Sequence, residues 1–167
     1  MKERCLWLIG LTAATTVCRV AGAQDAAAAR TAVGGHVGIA LPLLTVSTKT
    51  TSIANTATIL DPIGVTVKMT PRLAVDFETV VATPVKPTGT TGLVVDPGVV
   101  YDWGGVATGL RIAWQIGQQA NIGLIPLVNK GLVDLGRATW FVEGAFPTFY
   151  SDHKVAFNVV LHTGVGF

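Results

Sequence analysis

Residues 106–116, VATGLRIAWQI, alternate between two kinds of side chain along their whole length. One set is apolar or threonine: Val106, Thr108, Leu110, Ile112, Trp114 and Ile116. The other set is small or polar: Ala107, Gly109, Arg111, Ala113 and Gln115. Because successive residues of a strand point to opposite faces, this period of two predicts a β-strand with one apolar face.

The same alternation recurs in seven further segments. They are residues 33–47, 59–69, 73–85, 93–103, 121–129, 138–150 and 155–167, of which 121–129 is the least regular. Short connectors rich in Thr, Gly, Pro or Asn separate them, and residues 129–137 fit either a further strand turn or a short helix. We therefore predict an all-β fold built from one eight-stranded antiparallel up-and-down sheet.

The composition is too apolar for an ordinary water-exposed surface. Half of the 167 residues are hydrophobic and 13% are charged, and the mean hydropathy is +0.53, whereas soluble surfaces carry roughly 25–35% charged residues. Beyond the N-terminal segment the sequence has no apolar run of about 18 residues, which excludes a transmembrane helix there. Hydrophobic residues that are spread by alternation are typical of strands that face lipid.

The N-terminal segment predicts a Sec signal peptide. MKER (1–4) gives a basic start, CLWLIGLTAATTV (5–17) an apolar stretch, and residues 21–23 an A-x-A cleavage site before Gln24. We expect residues 1–23 to be removed, and a lipoprotein signal at Cys18 fits the preceding TTV less well.

Cleavage there would change both the cysteine count and the charge. Cys5 and Cys18 would leave with the signal, so neither a disulfide nor a thiolate metal site is expected in the mature chain. Three of the 12 basic and one of the 10 acidic residues lie in the signal, which leaves nine of each. A net charge of zero gives no reason to expect a nucleic-acid partner.

Two kinds of β-barrel have strands that alternate with a period of two, and the composition of the small and polar face distinguishes them. A soluble lipocalin-like barrel holds apolar side chains inside and polar ones outside. In this chain the second face is mostly Gly and Ala with isolated ionic groups, and small side chains suit the narrow lumen of an eight-stranded barrel. A closed barrel also pairs every backbone group internally, as lipid requires. The pattern favours a transmembrane barrel, with the soluble ligand-binding barrel as the alternative.

These features resemble the small outer-membrane β-barrel proteins of Gram-negative bacteria, of the OmpA, OmpX and OmpW type. The signal peptide, the even strand count, the near-absence of cysteine and the last strand VAFNVVLHTGVGF carry the resemblance, which covers residues 31–167 as architecture. It implies that residues 24–167 form a single outer-membrane barrel domain whose last strand closes against the first. It also implies that the barrel-assembly machinery reads an alternating signal in that strand: Leu161, Thr163, Val165 and Phe167.

Aromatic residues near the strand ends predict two girdles, one at each membrane interface. We place both chain termini on the periplasmic side. The periplasmic set is then Tyr101, Trp103, Trp140 and Phe167. The outer set is Trp114, Phe146, Tyr150 and Phe157.

Eight ionisable residues fall on the lumen face: His36, Lys68, Asp76, Glu78, Asp96, Arg111, Glu143 and His162. The turn at 70–72 is expected to bring Lys68 close to Asp76. An arginine in lipid at mid-depth of a barrel would cost roughly 2–4 kcal/mol, so Arg111 should point inward and pair with Glu143 or Glu78. Such a set forms either a proton or ion path, or a buried ion-pair network that fills the lumen, and the cost of unpaired buried charge favours the network.

Six prolines interrupt the predicted strands: Pro42, Pro62, Pro84, Pro97, Pro126 and Pro147. Because proline lacks the N–H that a ladder needs, we expect bulges or kinks near the outer rim. The repeat of ILDPIGV (59–65) in VVDPGVV (94–100) predicts a recurring local geometry.

No catalytic, metal or cofactor motif stands out. Ser151, Asp152 and His153 adjoin, but the local signatures of the outer-membrane lipid-A deacylases and palmitoyl transferases do not surround them. The three histidines are too dispersed for a metal motif, and the glycines do not form a phosphate-binding loop. We expect a structural or narrow-pore protein for small or hydrophobic solutes, with outer-membrane lipid as its partner and no cofactor. A lipid-modifying enzyme is the competing class, and the short loops disfavour a surface-recognition module.

Overall fold

The computed structural model describes residues 32–53, 57–117, 121–151 and 154–167. The chain divides into two units, Met1–Arg30 and Thr31–Phe167, and the predicted signal peptide with its cleavage site lies outside the described residues. The described residues contain no helix with the length and apolar character needed to cross a membrane.

In the described part of the chain, ten strands form one antiparallel sheet that closes on itself. They are β1 (Ala32–Ser47), β2 (Thr51–Ile53), β3 (Ala57–Lys68), β4 (Leu73–Lys86), β5 (Gly92–Asp102), β6 (Ala107–Ile116), β7 (Asn121–Asp134), β8 (Thr139–Ala145), β9 (Thr148–Ser151) and β10 (Lys154–Gly166). β9 continues β8 beyond residues 146–147, since both pair with β7 and β10. β2 is a short extension that pairs with β1. The predicted eight-stranded antiparallel barrel is confirmed.

The barrel closes between its first and last strands. The β1–β10 register runs from His36 opposite Gly166 to Ser47 opposite Ala156, with one shift between Pro42 and Leu44. Beyond β10 the backbone of Phe167 exchanges two hydrogen bonds with Gly35, at 2.8 and 2.9 Å. The expectation that the last strand closes against the first is therefore confirmed.

The two ends of the barrel have different connections. At the end that holds Ala32 and Gly166, here called the terminal end, the strands join through turns at 69–72, 103–106 and 135–138. In two of these turns an aspartate accepts from a glycine N–H two residues later, Asp102 from Gly104 and Asp134 from Gly136, each at 2.7 Å. Both glycines have positive φ, 94° and 86°, which only glycine adopts readily. At the opposite rim, the distal end, the connections vary more in length, and the longest joins β1 to β3.

Residues 129–137 hold no helix. β7 continues through them to Asp134, with a register shift between Gly131 and Val133, and the tight turn follows. The strand alternative for this segment is therefore right.

The prolines only partly follow the prediction. Register shifts occur beside Pro42 and opposite Pro84, and Pro147 lies at the break between β8 and β9. Pro62 and Pro126 instead lie within strands at unshifted positions, opposite Val80 and Leu110. Pro97 likewise keeps its register, opposite Phe77. The expected rim bulges are thus wrong for these three.

The Asp-Pro repeat does not produce a repeated geometry. Asp61 lies opposite Val81 on β4, whereas Asp96 lies opposite Glu78. These positions on β4 are an odd number of residues apart, so the pleat sends the two aspartates to opposite faces. Asp61 is exposed on the outer face and Asp96 is buried in the lumen.

The outer face of the barrel is apolar and the lumen holds the charge. Outward side chains of β6, from Leu110 to Ile116, are 45–54% exposed. Among outward positions of the described strands, away from their terminal residues, the charged side chains are Asp61 and Lys130. The lumen face of the same strands carries the buried ionisable groups. This distribution is the reverse of that in a soluble globular protein.

Candidate functional site

The structure brings six of the eight predicted lumen residues into one bonded group at mid-height. We call it the Arg111 cluster; its members are His36, Asp76, Glu78, Arg111, Glu143 and His162. All six side chains are buried, none being more than 9% exposed. They come from β1, β4, β6, β8 and β10, so the cluster spans the lumen rather than following one wall.

Arg111 is the centre of the cluster. Its Nε and Nη2 donate to Oδ2 of Asp76 at 3.0 and 2.7 Å. Its Nη1 donates to Oε1 of Glu78 and to Oε1 of Glu143, both at 3.2 Å. The guanidinium therefore points inward, as the alternation of β6 predicts, and bonds to both expected glutamates and to Asp76. A planar group with five donors can bond several carboxylates at once, which a lysine ammonium does less well.

The two histidines flank the carboxylates. Nε2 of His36 lies 2.6 Å from Oε2 of Glu78, and Nδ1 of His162 lies 3.4 Å from Oε1 of Glu143. The inward Phe141 packs edge-on against both rings, with centroids 6.0 and 5.0 Å away. Phe141 was not among the lumen residues predicted from the sequence. Its position between the outward Trp140 and Val142 would have indicated that it points inward.

Neutral donors complete the hydrogen bonding of two carboxylates. Thr66 Oγ1 donates to Oδ1 of Asp76 at 2.6 Å, and Asn129 Nδ2 donates to Oε2 of Glu143 at 3.1 Å. Both donors stand beside their acceptors in the sheet register. Most polar side-chain atoms of the cluster therefore have a hydrogen-bond partner. Such pairing lowers the free-energy cost of burying charged groups.

Lys68 is not a member of this cluster: it is a diagonal neighbour of Asp76 across the β3–β4 hairpin, as expected, but forms no ion pair with it. In the β3–β4 register Thr66 is opposite Asp76, and Lys68 is opposite Ala74 at the strand end. Lys68 is exposed and lines the lumen near the terminal end. The turn at 69–72 fixes the register of the β3–β4 hairpin. In this register Thr66, not Lys68, lies directly opposite Asp76 and donates to its carboxylate.

The cluster separates two cavities in the lumen. The cavity toward the terminal end has a volume of about 650 Å³, and the one toward the distal end about 320 Å³. Arg111 and Glu143 line both. We call them the terminal cavity and the distal cavity.

Two trios in the cluster have the composition of metal ligands. Ligand atoms of His36, Asp76 and Glu78 lie within 4.8 Å of one another, as do those of Glu78, Glu143 and His162. His36 and His162 are thus distant in sequence but not in space, because barrel closure pairs β1 with β10. The guanidinium of Arg111 lies among the same carboxylates and supplies the positive charge that a metal ion would bring, so we assign no metal to them.

Glycines make room for the cluster. A Cβ on Gly64 would overlap the ring of His36, which lies opposite it in the β1–β3 register. We expect Gly64→Ala to destabilise the barrel by about 1–3 kcal/mol, because the ring must leave its place beside Glu78. Urea unfolding followed by tryptophan fluorescence measures this.

The matched control is Gly144→Ala. Gly144 is a strand glycine at an outward position, and the nearest atom to its Cβ would be Phe146 Cζ at an ordinary 3.7 Å. The Gly144→Ala variant should unfold at nearly the same urea concentration as the unmodified chain. Equal losses for the two variants would show that backbone freedom, not the His36 ring, sets the cost.

Aromatic side chains sort by barrel end. Trp103 and Trp140 lie at the terminal end, and each indole N–H donates to a threonine, Thr108 at 2.9 Å and Thr163 at 2.8 Å. The Tyr101 and Trp103 rings pack 4.7 Å apart. The members of the predicted outer set lie in the distal half: Trp114, Phe146, Tyr150 and Phe157. Phe149, by contrast, points into the distal cavity.

Asp152 and His153 lie outside the described residues, so the Ser151–His153 group has no placement here. No family model matches the chain, and no curated protein or solved structure is significantly similar to it.

Proposed function

We propose that this chain is an integral outer-membrane β-barrel protein with a plugged lumen and a structural or narrow-pore role for small or hydrophobic solutes. The observation that carries the proposal is the inverted distribution of polarity. A closed barrel with apolar side chains outside and a charged cluster inside suits a hydrocarbon surround. A lipocalin-like barrel would have the opposite arrangement.

Dimensions support the same proposal. The eight principal wall positions carry strands of 10–16 residues, counting β8 and β9 together, and a tilted transmembrane strand needs about 9–11. Outward aromatic side chains at both ends match the interfacial girdles of such barrels. Lys130, next to the β7 register shift that begins at Gly131, lies opposite Val142 toward the terminal end, where a long side chain can extend to water.

Fractionation of Gram-negative cells that express the full chain tests the proposal. We expect recovery in the outer-membrane fraction, loss of the residues before Gln24, and faster migration on gels when the sample is not boiled. A closed barrel resists detergent unfolding until it is heated, which causes the shift. Recovery as a soluble periplasmic protein would contradict the proposal.

Assembly is proposed to depend on the last strand. Phe167 pairs with Gly35 across the closing seam, and its side chain is 69% exposed. We expect Phe167→Asp to leave most of the chain exported but not inserted, measured as the ratio of membrane to periplasmic protein. Val155→Asp, an outward change at the other end of β10, is the control. Normal membrane levels of Phe167→Asp would contradict an assembly signal in this strand.

A further inference from the structure

The distal cavity is graded from a polar mouth to a charged floor. Polar side chains lie near the distal end of its strands: Thr45, Thr58, Gln115, Asn121 and Asn158. Below them the wall is largely apolar, with side chains such as Leu60, Val94 and Phe149. Glu78, Asp96, Arg111, Glu143 and His162 also line it and belong to mid-height. Concave apolar sites with a few convergent polar groups are the usual form of a small-molecule site.

Asp96 is the unusual group in this cavity. Its side chain is completely buried, and neither carboxylate oxygen has a hydrogen-bond partner among the described residues. Every other buried carboxylate of the lumen is bonded to Arg111: Asp76, Glu78 and Glu143. A buried carboxylate without a donor is costly, so a group that supplies one would be bound favourably.

Charge also favours a cation. The mid-height lumen holds four carboxylates and one guanidinium. With all four carboxylates ionised, as a bound cation on Asp96 would favour, even two protonated histidines would leave one negative charge in excess. Arg111 is already shared among three carboxylates, and no lysine is among the described residues that line the distal cavity. Those residues therefore offer an anion no free cationic partner.

His162 adds a second acceptor. With Nδ1–H donating to Glu143, the neutral ring leaves Nε2 as an acceptor, and Nε2 is buried without a partner among the described residues. Near the floor of the cavity the buried atoms without partners are therefore acceptors, on Asp96 and His162. A primary ammonium group, with three donors and one positive charge, is the complementary chemistry.

We propose that the distal cavity binds a small amphiphilic amine, with its apolar body against the wall and its ammonium on Asp96. The volume of about 320 Å³ is roughly twice that of an engineered cavity of about 150 Å³ that holds one benzene. A chain or ring of roughly six to ten carbons fits. The proposal rests on the lumen alone and goes beyond the proposed membrane function, since the cavity is the same wherever the barrel resides.

Calorimetric titration of the folded barrel tests this, in phosphatidylcholine nanodiscs if the protein fractionates with the outer membrane and in buffer if it is recovered as a soluble protein, with the matching blank subtracted. Hexylamine, hexan-1-ol and hexanoate share one apolar chain and differ in the head group. We expect saturable binding of hexylamine, at least about tenfold tighter than hexan-1-ol, as a charged hydrogen bond would give. Hexanoate should be the weakest.

Asp96→Asn keeps the side-chain shape and removes the charge, so it should fold and bring hexylamine and hexan-1-ol within about threefold of each other. Asp102→Asn, on the same strand but at the terminal end, is the matched control and should keep the preference. Ala82→Phe, which fills the distal cavity, should abolish saturable binding of all three probes.

Four results would each overturn the proposal. They are equal affinities of the unmodified barrel for hexylamine and hexan-1-ol, retained amine preference in Asp96→Asn, preferred binding of hexanoate, and no saturable binding at all. The first and third would show that the cavity does not prefer an ammonium group, and the second would place the amine preference on a group other than Asp96. The last would show that the cavity binds none of the probes. A failure of outer-membrane fractionation would leave these results unaffected, so the two proposals fail separately.

Discussion

Arg111→Ala is expected to destabilise the folded barrel by roughly 3–5 kcal/mol. The change leaves Asp76, Glu78 and Glu143 buried without the donor that they share, and such uncompensated charge is costly wherever the barrel resides. Equilibrium urea unfolding followed by tryptophan fluorescence gives the free energy. Arg72→Ala is the control, since Arg72 is exposed in the turn between β3 and β4, and it should change stability little.

A double-mutant cycle separates pairing from general loss of stability. If Arg111 and Glu143 are direct partners, the combined Arg111→Ala and Glu143→Ala change should cost less than the sum of the two single changes. The same should hold for Arg111 with Asp76, where the contacts are shorter. Strict additivity in both cycles would mean that these distances carry no interaction energy.

Leu110→Arg should cost about 2–4 kcal/mol if the outer face meets lipid, because Leu110 lies near mid-height and points outward. Its side chain is 46% exposed, next to the strand position of Arg111 itself. On a water-facing surface the same substitution would typically change stability by about ±0.5 kcal/mol. The free energy of unfolding in lipid vesicles thus reports which solvent surrounds the barrel.

Val33→Arg gives the depth control. Val33 also points outward but lies at the start of β1, near the terminal end. In a bilayer it should cost only about 0–1 kcal/mol, since cost falls toward the interface. If Leu110→Arg and Val33→Arg both change the free energy of unfolding by almost nothing, the barrel is soluble. If both variants lose the same large amount, the cost is steric and does not depend on depth in a bilayer.

The strands and their faces could be read from the sequence because alternation is a local property. The period of two in residues 106–116 already places Leu110 outside and Arg111 inside, and the same reading finds the strand positions of Glu143 and His162. It also indicates that the last strand is available to close the barrel. These features need only the pleat and the requirement that a barrel have no edge.

Contacts across the lumen could be predicted only in part: Arg111 bonds to both expected glutamates, but its contact with Asp76 was not expected. These contacts depend on the stagger between strands, which fixes the height of each residue around the barrel. A local argument paired Lys68 with Asp76 through the turn, whereas Asp76 bonds to Arg111 two strands away. Likewise the two copies of the Asp-Pro repeat are equivalent in sequence. Asp61 and Asp96 nevertheless pair with β4 residues that are an odd number of positions apart, so they face opposite sides of the sheet.

The position of Arg111 has a kinetic consequence if the barrel serves as the narrow pore proposed above. Because Arg111 lines both cavities, a solute passing between them would require Arg111 to leave several carboxylates together. If that release costs as much as deleting the side chain, roughly 3–5 kcal/mol, the permeable form is about one molecule in a hundred to one in several thousand. Planar-bilayer recordings would then show rare, brief and isolated current steps, and Arg111→Ala would turn them into a sustained current.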